Sequence, residues 1–228
     1  MSSQICSPWM SELSLEVAGE ELIARADGSL FWKRKRTLFA ADVHFGKAAA
    51  FRARAVPVPN GTTRAILERL TAALEATGAD QLVFLGDLWH DRYARTEAIV
   101  ESVSDWRQHH KNVSMTLVEG NHDIKAGKLP GRMQMSEVAA PHAIEPFLAC
   151  HHPCEHDEGY VLAGHVHPAV RLTGLAEQSM KLPCFWFGER SAILPTFGEF
   201  TGYGTVKPKS GDRVFALADG GLFALKTD

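Results

Sequence analysis

Apolar and polar residues alternate in short runs over the first forty positions. The runs predict strands at Leu13 to Val17, Glu21 to Ala26, Ser29 to Trp32 and Thr37 to Ala40. Asp27-Gly28 stands between two of them as a hairpin turn signal. The period then changes. Ile66, Leu67, Leu70, Ala73 and Leu74 share one helical face between Thr62 and Thr77, and Gly78 stops that helix. A second helix is predicted from about Thr96 to His110. The apolar runs Gln81 to Leu85 and Val113 to Val118 end abruptly in polar residues, as buried strands do. The second half reads as strands near Ala143 to Cys150, Tyr160 to Ala163, Ala169 to Leu172, Cys184 to Phe187, Ala192 to Phe197, Arg213 to Leu217 and Leu222 to Lys226. Strand–helix alternation followed by many strands predicts an α/β sandwich with two stacked sheets. No repeat, low-complexity tract or linker divides the 228 residues, so a single domain over 1–228 is expected.

Composition narrows the functional classes. With 45% hydrophobic and 22% charged residues the chain is ordinary globular material. A net charge of -3 excludes a molecule tuned as a whole to grip nucleic acid, and leaves room for a local basic groove. The N-terminus lacks the basic and apolar regions of a signal peptide, and no apolar run approaches a membrane span. The four cysteines (Cys6, Cys150, Cys154, Cys184) lack zinc-type pairing, which suits reduced thiols in a cytoplasmic protein with no membrane partner. The unusual count is histidine, with 11.

Five polar blocks sit just after strand-like runs: Asp42-Val43-His44, Gly86-Asp87, Gly120-Asn121-His122-Asp123, His151-His152 and Gly164-His165-Val166-His167. Ligands at the C-terminal ends of strands converge on one edge of a sheet. In an extended segment residues i and i+2 point the same way, so Asp-x-His and His-x-His each present two ligands from one side. Their oxygen and imidazole donors suit Mn²⁺, Fe or Zn²⁺. Each block alone has a plainer reading: Gly-Asp as a turn, His151-His152 as a solvated loop pair. All five in this order are hard to explain as turns.

This order resembles the signature of calcineurin-like metallophosphoesterases. The resemblance implies a metallophosphoesterase four-layer sandwich, two mixed β-sheets flanked by helices. Carried over by position, Asp42, His44, Asp87 and His167 resemble the ligands of one divalent metal ion. Asp87, Asn121, His151 and His165 resemble those of a second, with Asp87 bridging. The fourth block offers two histidines where the family has one ligand. His151, directly after Phe147 to Cys150, is preferred, which leaves His152 for substrate. Mn²⁺ is the preferred ion of the three. A narrower resemblance lies in Asp42-Val-His-Phe-Gly-Lys47, in Ala-Ala-Ala-Phe-Arg52 with Val-Pro-Val-Pro59, and in Leu194-Pro-Thr-Phe-Gly-Glu-Phe-Thr-Gly202. These segments are similar to the ligase-associated DNA damage response endonuclease subfamily. It implies DNA as the substrate, and DNA-repair proteins such as a ligase as partners.

Two divalent ions about 3.5–4 Å apart supply a phosphate clamp and lower the pKa of water between them. The leaving oxygen then needs a proton, and the resemblance gives His122 as the general acid. Asp123 would orient that ring or favour its protonated form; the alternative is a turn-capping aspartate. Lys47, Arg52 and Arg54 could track a phosphate backbone or form a solvated loop. Lys33 to Arg36 reads as a hairpin tip. Trp89, His90 and Arg92 are expected to line the cleft, with Trp89 offered for base stacking or for the core. The competing function is a phosphoesterase for a nucleotide or phosphomonoester, which the same metal site would serve. A catalytically silent scaffold is disfavoured because no ligand is missing.

Overall fold

A computed structural model describes residues 10–53, 55, 61–173, 179–199 and 202–226. Arg54, Val56 to Pro59, Phe200, Thr201 and Cys6, all named above, lie outside them.

Among the described residues the first sheet has seven strands: β1 (Glu12–Val17), β2 (Glu20–Arg25), β3 (Leu30–Trp32), β4 (Thr37–Ala40), β5 (Gln81–Leu85), β6 (Ser114–Val118) and β7 (Ser136–Val138), in that spatial order. The first four pair antiparallel and β4 to β7 run parallel. Among the described residues four helices accompany it: α1 (Lys47–Ala53), α2 (Thr62–Thr77), α3 (Glu97–His109) and α4 (Asn121–Ala126). Among the described residues the second sheet has nine strands: β8 (His142–Ile144), β9 (Phe147–Ala149), β10 (Tyr160–Ala163), β11 (Pro168–Thr173), β12 (Ser179–Phe187), β13 (Ser191–Ile193), β14 (Gly204–Thr205), β15 (Arg213–Ala218) and β16 (Gly221–Leu225). In it β10 lies parallel to both β9 and β13.

Alternation along the strands sorts the core. Leu22, Trp32, Phe39, Val83 and Leu85 of the first sheet meet Phe147, Leu162, Phe185, Phe187 and Phe215 of the second in one buried layer. Trp32 and Phe147 touch edge to face across it, with ring centroids 4.9 Å apart. The opposite faces of β3 to β6 place Phe31, Leu38, Phe84 and Leu117 against Ile66, Leu70 and Leu74 of α2 and Val100, Val103 and Trp106 of α3. The two mixed sheets with helices therefore stand as expected. Of the two helical layers expected, the described residues supply the one over the first sheet. Among them no helix is long and apolar enough to cross a membrane.

Several elements differ from the sequence reading. The stretch Ala143 to Cys150 is a hairpin, β8 antiparallel to β9, because Pro146 at its centre cannot donate to a ladder. Lys47 to Arg52 lies in α1 and is not a loop. Lys33 to Arg36 does form the β3–β4 turn, where Lys33 pairs with Glu21 at 3.1 Å, Arg34 with Glu20, and Arg36 with Asp80 at 3.0 Å.

Candidate metal centre

The parallel strands of both sheets end on the same edge of the sandwich. Asp42 follows β4, Asp87 follows β5, and Asn121 follows β6; His151 follows β9 and His165 follows β10. Asp42, His44, Asp87 and His151 are buried, while Asn121 and His122 are half-buried and His165 is exposed. One wall of the site is thus protein interior and the other faces solvent.

The chain turns sharply at five of the seven expected ligands. Asp42 (φ 53), His44 (φ 52), Asp87 (φ 50), His165 (φ 68) and His167 (φ 48) all adopt the left-handed region. That region costs a non-glycine residue about 1–3 kcal/mol, and such strain concentrates at functional sites. The motif glycines have a further task, which Gly86 (φ 79) adds to a left-handed turn of its own. A Cβ on Gly86 would collide with the His151 ring, one on Gly120 with the Asp87 carboxylate, and one on Gly164 with Asp42 Oδ2. Each glycine makes room for a ligand belonging to another block.

The hydrogen bonds fix which ring nitrogens face inward. His151 Nδ1–H donates to the Leu85 carbonyl (3.0 Å) and His167 Nδ1–H to that of Gly202 (3.0 Å). Each ring then turns a lone pair at Nε2 into the site. His151 Nε2 lies 3.1 Å from Asn121 Oδ1, 3.4 Å from Asp87 Oδ1 and 3.1 Å from His165 Nδ1. His167 Nε2 lies 3.3 Å from His44 Nε2 and 3.6 Å from Asp42 Oδ1. His44 Nε2 is 4.0 Å from Asp87 Oδ2. Acceptors gathered this closely, with few protons to share among them, are the arrangement a cation resolves. The buried His44 Nδ1 has no hydrogen-bond partner, which fits a ring placed for its other nitrogen. Asp42, His44 and His167 thus gather in one group and Asn121, His151 and His165 in another, with Asp87 within 4.0 Å of His44 and 3.4 Å of His151.

Charge follows burial. Burial lowers the pKa of His44, with Lys47 and three neighbouring imidazoles adding to the effect. It lowers those of His151 and His165 as well. Neutral imidazole is the form that ligates a metal. For His167 burial acts downward, but the hydrogen bond and charge of Asp42 prevail and raise it. Burial raises the pKa of Asp87. Lys47, half-buried on α1, is lowered by burial against the pull of Asp42 and Asp87.

His122 sits beside these groups, its Nε2 3.9 Å from Asp87 Oδ2. Its backbone N–H donates to Asp87 Oδ1 at 2.9 Å, and its Nδ1–H donates to the His90 carbonyl. Asp123 does not orient the ring. Its carboxylate accepts from the N–H of Gly120 (3.0 Å) and of Trp89 (3.1 Å), so it takes the turn-capping alternative. Burial pushes its pKa up to about 6. Trp89 is fully buried in the helix-side core and offers no face to a base. Arg52 is exposed at the end of α1. His152 is exposed outside the buried cluster, its ring centroid 4.0 Å from that of His165.

Sequence reasoning left His90 as a cleft-lining residue. Its ring lies parallel to that of His122 (centroids 5.5 Å, 19°) and edge-on to His44 (5.6 Å, 78°). It also missed a strap between β13 and β14. Thr196 Oγ1 donates to the Asp42 carbonyl (2.9 Å), as does Gly198 N–H (3.1 Å), and Gly202 holds His167. Arg69 of α2 anchors the strap by donating to the Phe197 carbonyl at 3.1 Å. Thr196, Gly198 and Gly202 thus support two expected ligands from behind.

The sequence profile of calcineurin-like phosphoesterases matches residues 35–165, which holds all but the last of the expected ligands. The chain belongs to the calcineurin-like phosphoesterase family. It is accordingly a metal-dependent phosphoesterase. The crystal structure of the Pseudomonas putida nuclease MPE is similar over 93% of this chain and 99% of that one, at 38% identity and a TM-score of 0.82. A looser likeness, 16% identity and a TM-score of 0.39 over 80% of this chain and 88% of the other, links this phosphoesterase to Yfce, a phosphoesterase from E. coli. Curated protein sequences gave no significant match.

Proposed function

We propose that this phosphoesterase is a Mn²⁺-dependent DNA endonuclease that hydrolyses phosphodiester bonds in cytoplasmic DNA repair, with other repair proteins such as a ligase as partners. The observation that carries the nuclease reading is the likeness, over nearly both full lengths, to a nuclease of the same fold. Three features of the site support it. The ligand cluster is open on one side through His122 and His165. Lys47 and Arg52 lie on the helix that follows the first ligand block. The acceptor set of nitrogen and oxygen atoms suits Mn²⁺.

When bound, a pair of divalent ions supplies charge neutralisation for the phosphate and lowers the pKa of water. Asp42, His44, Asp87 and His167 would hold one ion, and Asp87, Asn121, His151 and His165 the other. The protein's own contribution to the leaving group is His122. With Nδ1–H committed to the His90 carbonyl, the ring presents Nε2 as the atom that carries a proton to the departing oxygen. Lys47 places a cation close to Asp42 and Asp87, where it favours an incoming phosphate.

The test uses Mn²⁺ with end-labelled single- and double-stranded DNA, a simple diester and a phosphate monoester. Internal cleavage of DNA that is abolished by a chelator and by His122→Ala is the expected result. Cleavage of the small esters alone would overturn the nuclease reading in favour of a nucleotide-sized substrate.

A further inference from the structure

The turn after His90 holds an aromatic ring out in solvent. Tyr93 is 65% exposed, on the 3-10 turn Arg92–Ala94. The turn beneath it is rigidly seated. Asp91 Oδ1 accepts from the Ala94 N–H at 2.7 Å. Ala94 is fully buried against Gly46, so closely that a Cβ on Gly46 would lie 2.6 Å from the Ala94 Cβ. On the other side Arg95 donates to the carbonyls of Ala126 (2.6 Å), Gly127 (2.8 Å) and Lys128 (2.8 Å) at the end of α4, and its guanidinium lies over the Trp89 ring. The turn is therefore clamped between the first ligand block and the helix that carries Asn121 and His122. Arg92 covers one face of the Tyr93 ring, its Cζ 4.7 Å from the centroid.

An aromatic ring on a fixed seat, with a cation behind it, offers one open π-face and a charge for phosphate. It stands three positions along the chain from His90, so the two Cα atoms are at most about 11 Å apart. About three stacked nucleotides cover that span. We infer that Tyr93, backed by Arg92, is a stacking platform for an unpaired base of the substrate strand beside the scissile phosphodiester. The inference rests on the nuclease reading above. Stacking tolerates any base and requires it to be unpaired, so the platform favours single-stranded or frayed DNA without reading its sequence.

The test compares wild type, Tyr93→Ala, Tyr93→Phe and Tyr93→Trp with Mn²⁺. The substrates are a single-stranded oligonucleotide, the same strand with abasic residues around the cleavage site, and a small diester. Base stacking worth about 1–3 kcal/mol predicts a loss of about 5- to 150-fold in kcat/KM for Tyr93→Ala on the normal oligonucleotide. Tyr93→Phe and Tyr93→Trp should keep most of the activity. On abasic strand and small diester all four proteins should match. Equal cleavage of the normal strand by Tyr93→Ala and wild type would overturn the platform. So would equal losses on all three substrates, or losses in Tyr93→Phe and Tyr93→Trp as large as in Tyr93→Ala. A wild-type protein that hydrolyses the diester and cuts no DNA would remove the nuclease reading itself.

Discussion

Gly164→Ala isolates the close packing of ligand blocks from every other property of the site. Gly164 lies outside the left-handed region, so alanine there brings no positive-φ penalty. Its Cβ would lie 2.6 Å from Asp42 Oδ2, 2.9 Å from the Ala41 Cβ and 3.1 Å from the Leu85 carbonyl. The first of these is about 0.8 Å inside ordinary contact, which begins at 3.4 Å. Asp42 cannot swing away cheaply, because both its oxygens accept from the His165 N–H at 3.1 and 2.8 Å and the residue is fully buried. The carboxylate must shift by several tenths of an ångström, and Asp42 is one of the proposed metal ligands. A misplacement near 1 Å costs on the order of 10²-fold in rate. Overpacking adds about 1–3 kcal/mol of destabilisation, which lowers Tm by about 2–12 °C for a chain of this size. The control is Gly131→Ala, whose added Cβ meets nothing within 4 Å. Diester hydrolysis with Mn²⁺, Mn²⁺ titration and thermal unfolding check both variants. A Gly164→Ala protein with wild-type rate and Mn²⁺ affinity would refute the steric account of the motif glycines.

His122→Ala should lower kcat by about 10²- to 10⁴-fold while two Mn²⁺ still bind, as measured by titration; loss of an ion would make it a ligand. Mn²⁺ should raise Tm in proportion to the logarithm of its concentration, since only the folded chain gathers these ligands; a flat thermal-shift curve would count against a resident metal pair. Asp123→Asn should cost about 1–3 kcal/mol, because one of the two N–H donors on that buried carboxylate would face an amide NH₂; denaturant unfolding reads this directly.

The elements that carry ligands were legible because each is a buried strand with a sharp polar end. Thr37–Ala40, Gln81–Leu85 and Tyr160–Ala163 emerge with the bounds expected from the apolar runs. The helix Thr62–Thr77 does as well, since its period and its Gly78 stop are local signals. The site's outer supports were not legible. The bond from Thr196 to the Asp42 carbonyl spans 154 positions, and no local pattern marks such a threonine. The glycines read as turn formers, although at Gly120 and Gly164 crowding by side chains from distant blocks sets the requirement. Trp89 was ambiguous because an apolar residue beside a ligand block can face either the cleft or the core. Lys47 to Arg52 carries a helix, but its two cations drew the reading towards a loop.

The centre draws Asp42, Asp87 and Asn121 from the ends of one sheet and His151 and His165 from the ends of the other. A cation coordinated by both sets is a further cross-link between layers already joined by apolar packing and by hydrogen bonds from His151, His165 and Thr196 to the first sheet's strand ends. Sub-global opening that peels one sheet from the other would have to break coordination first. Amide hydrogens near Leu85 and Ala163, on different sheets, should then slow their exchange together on metal loading. The active site would thereby set the opening free energy of the sandwich seam as well as its chemistry.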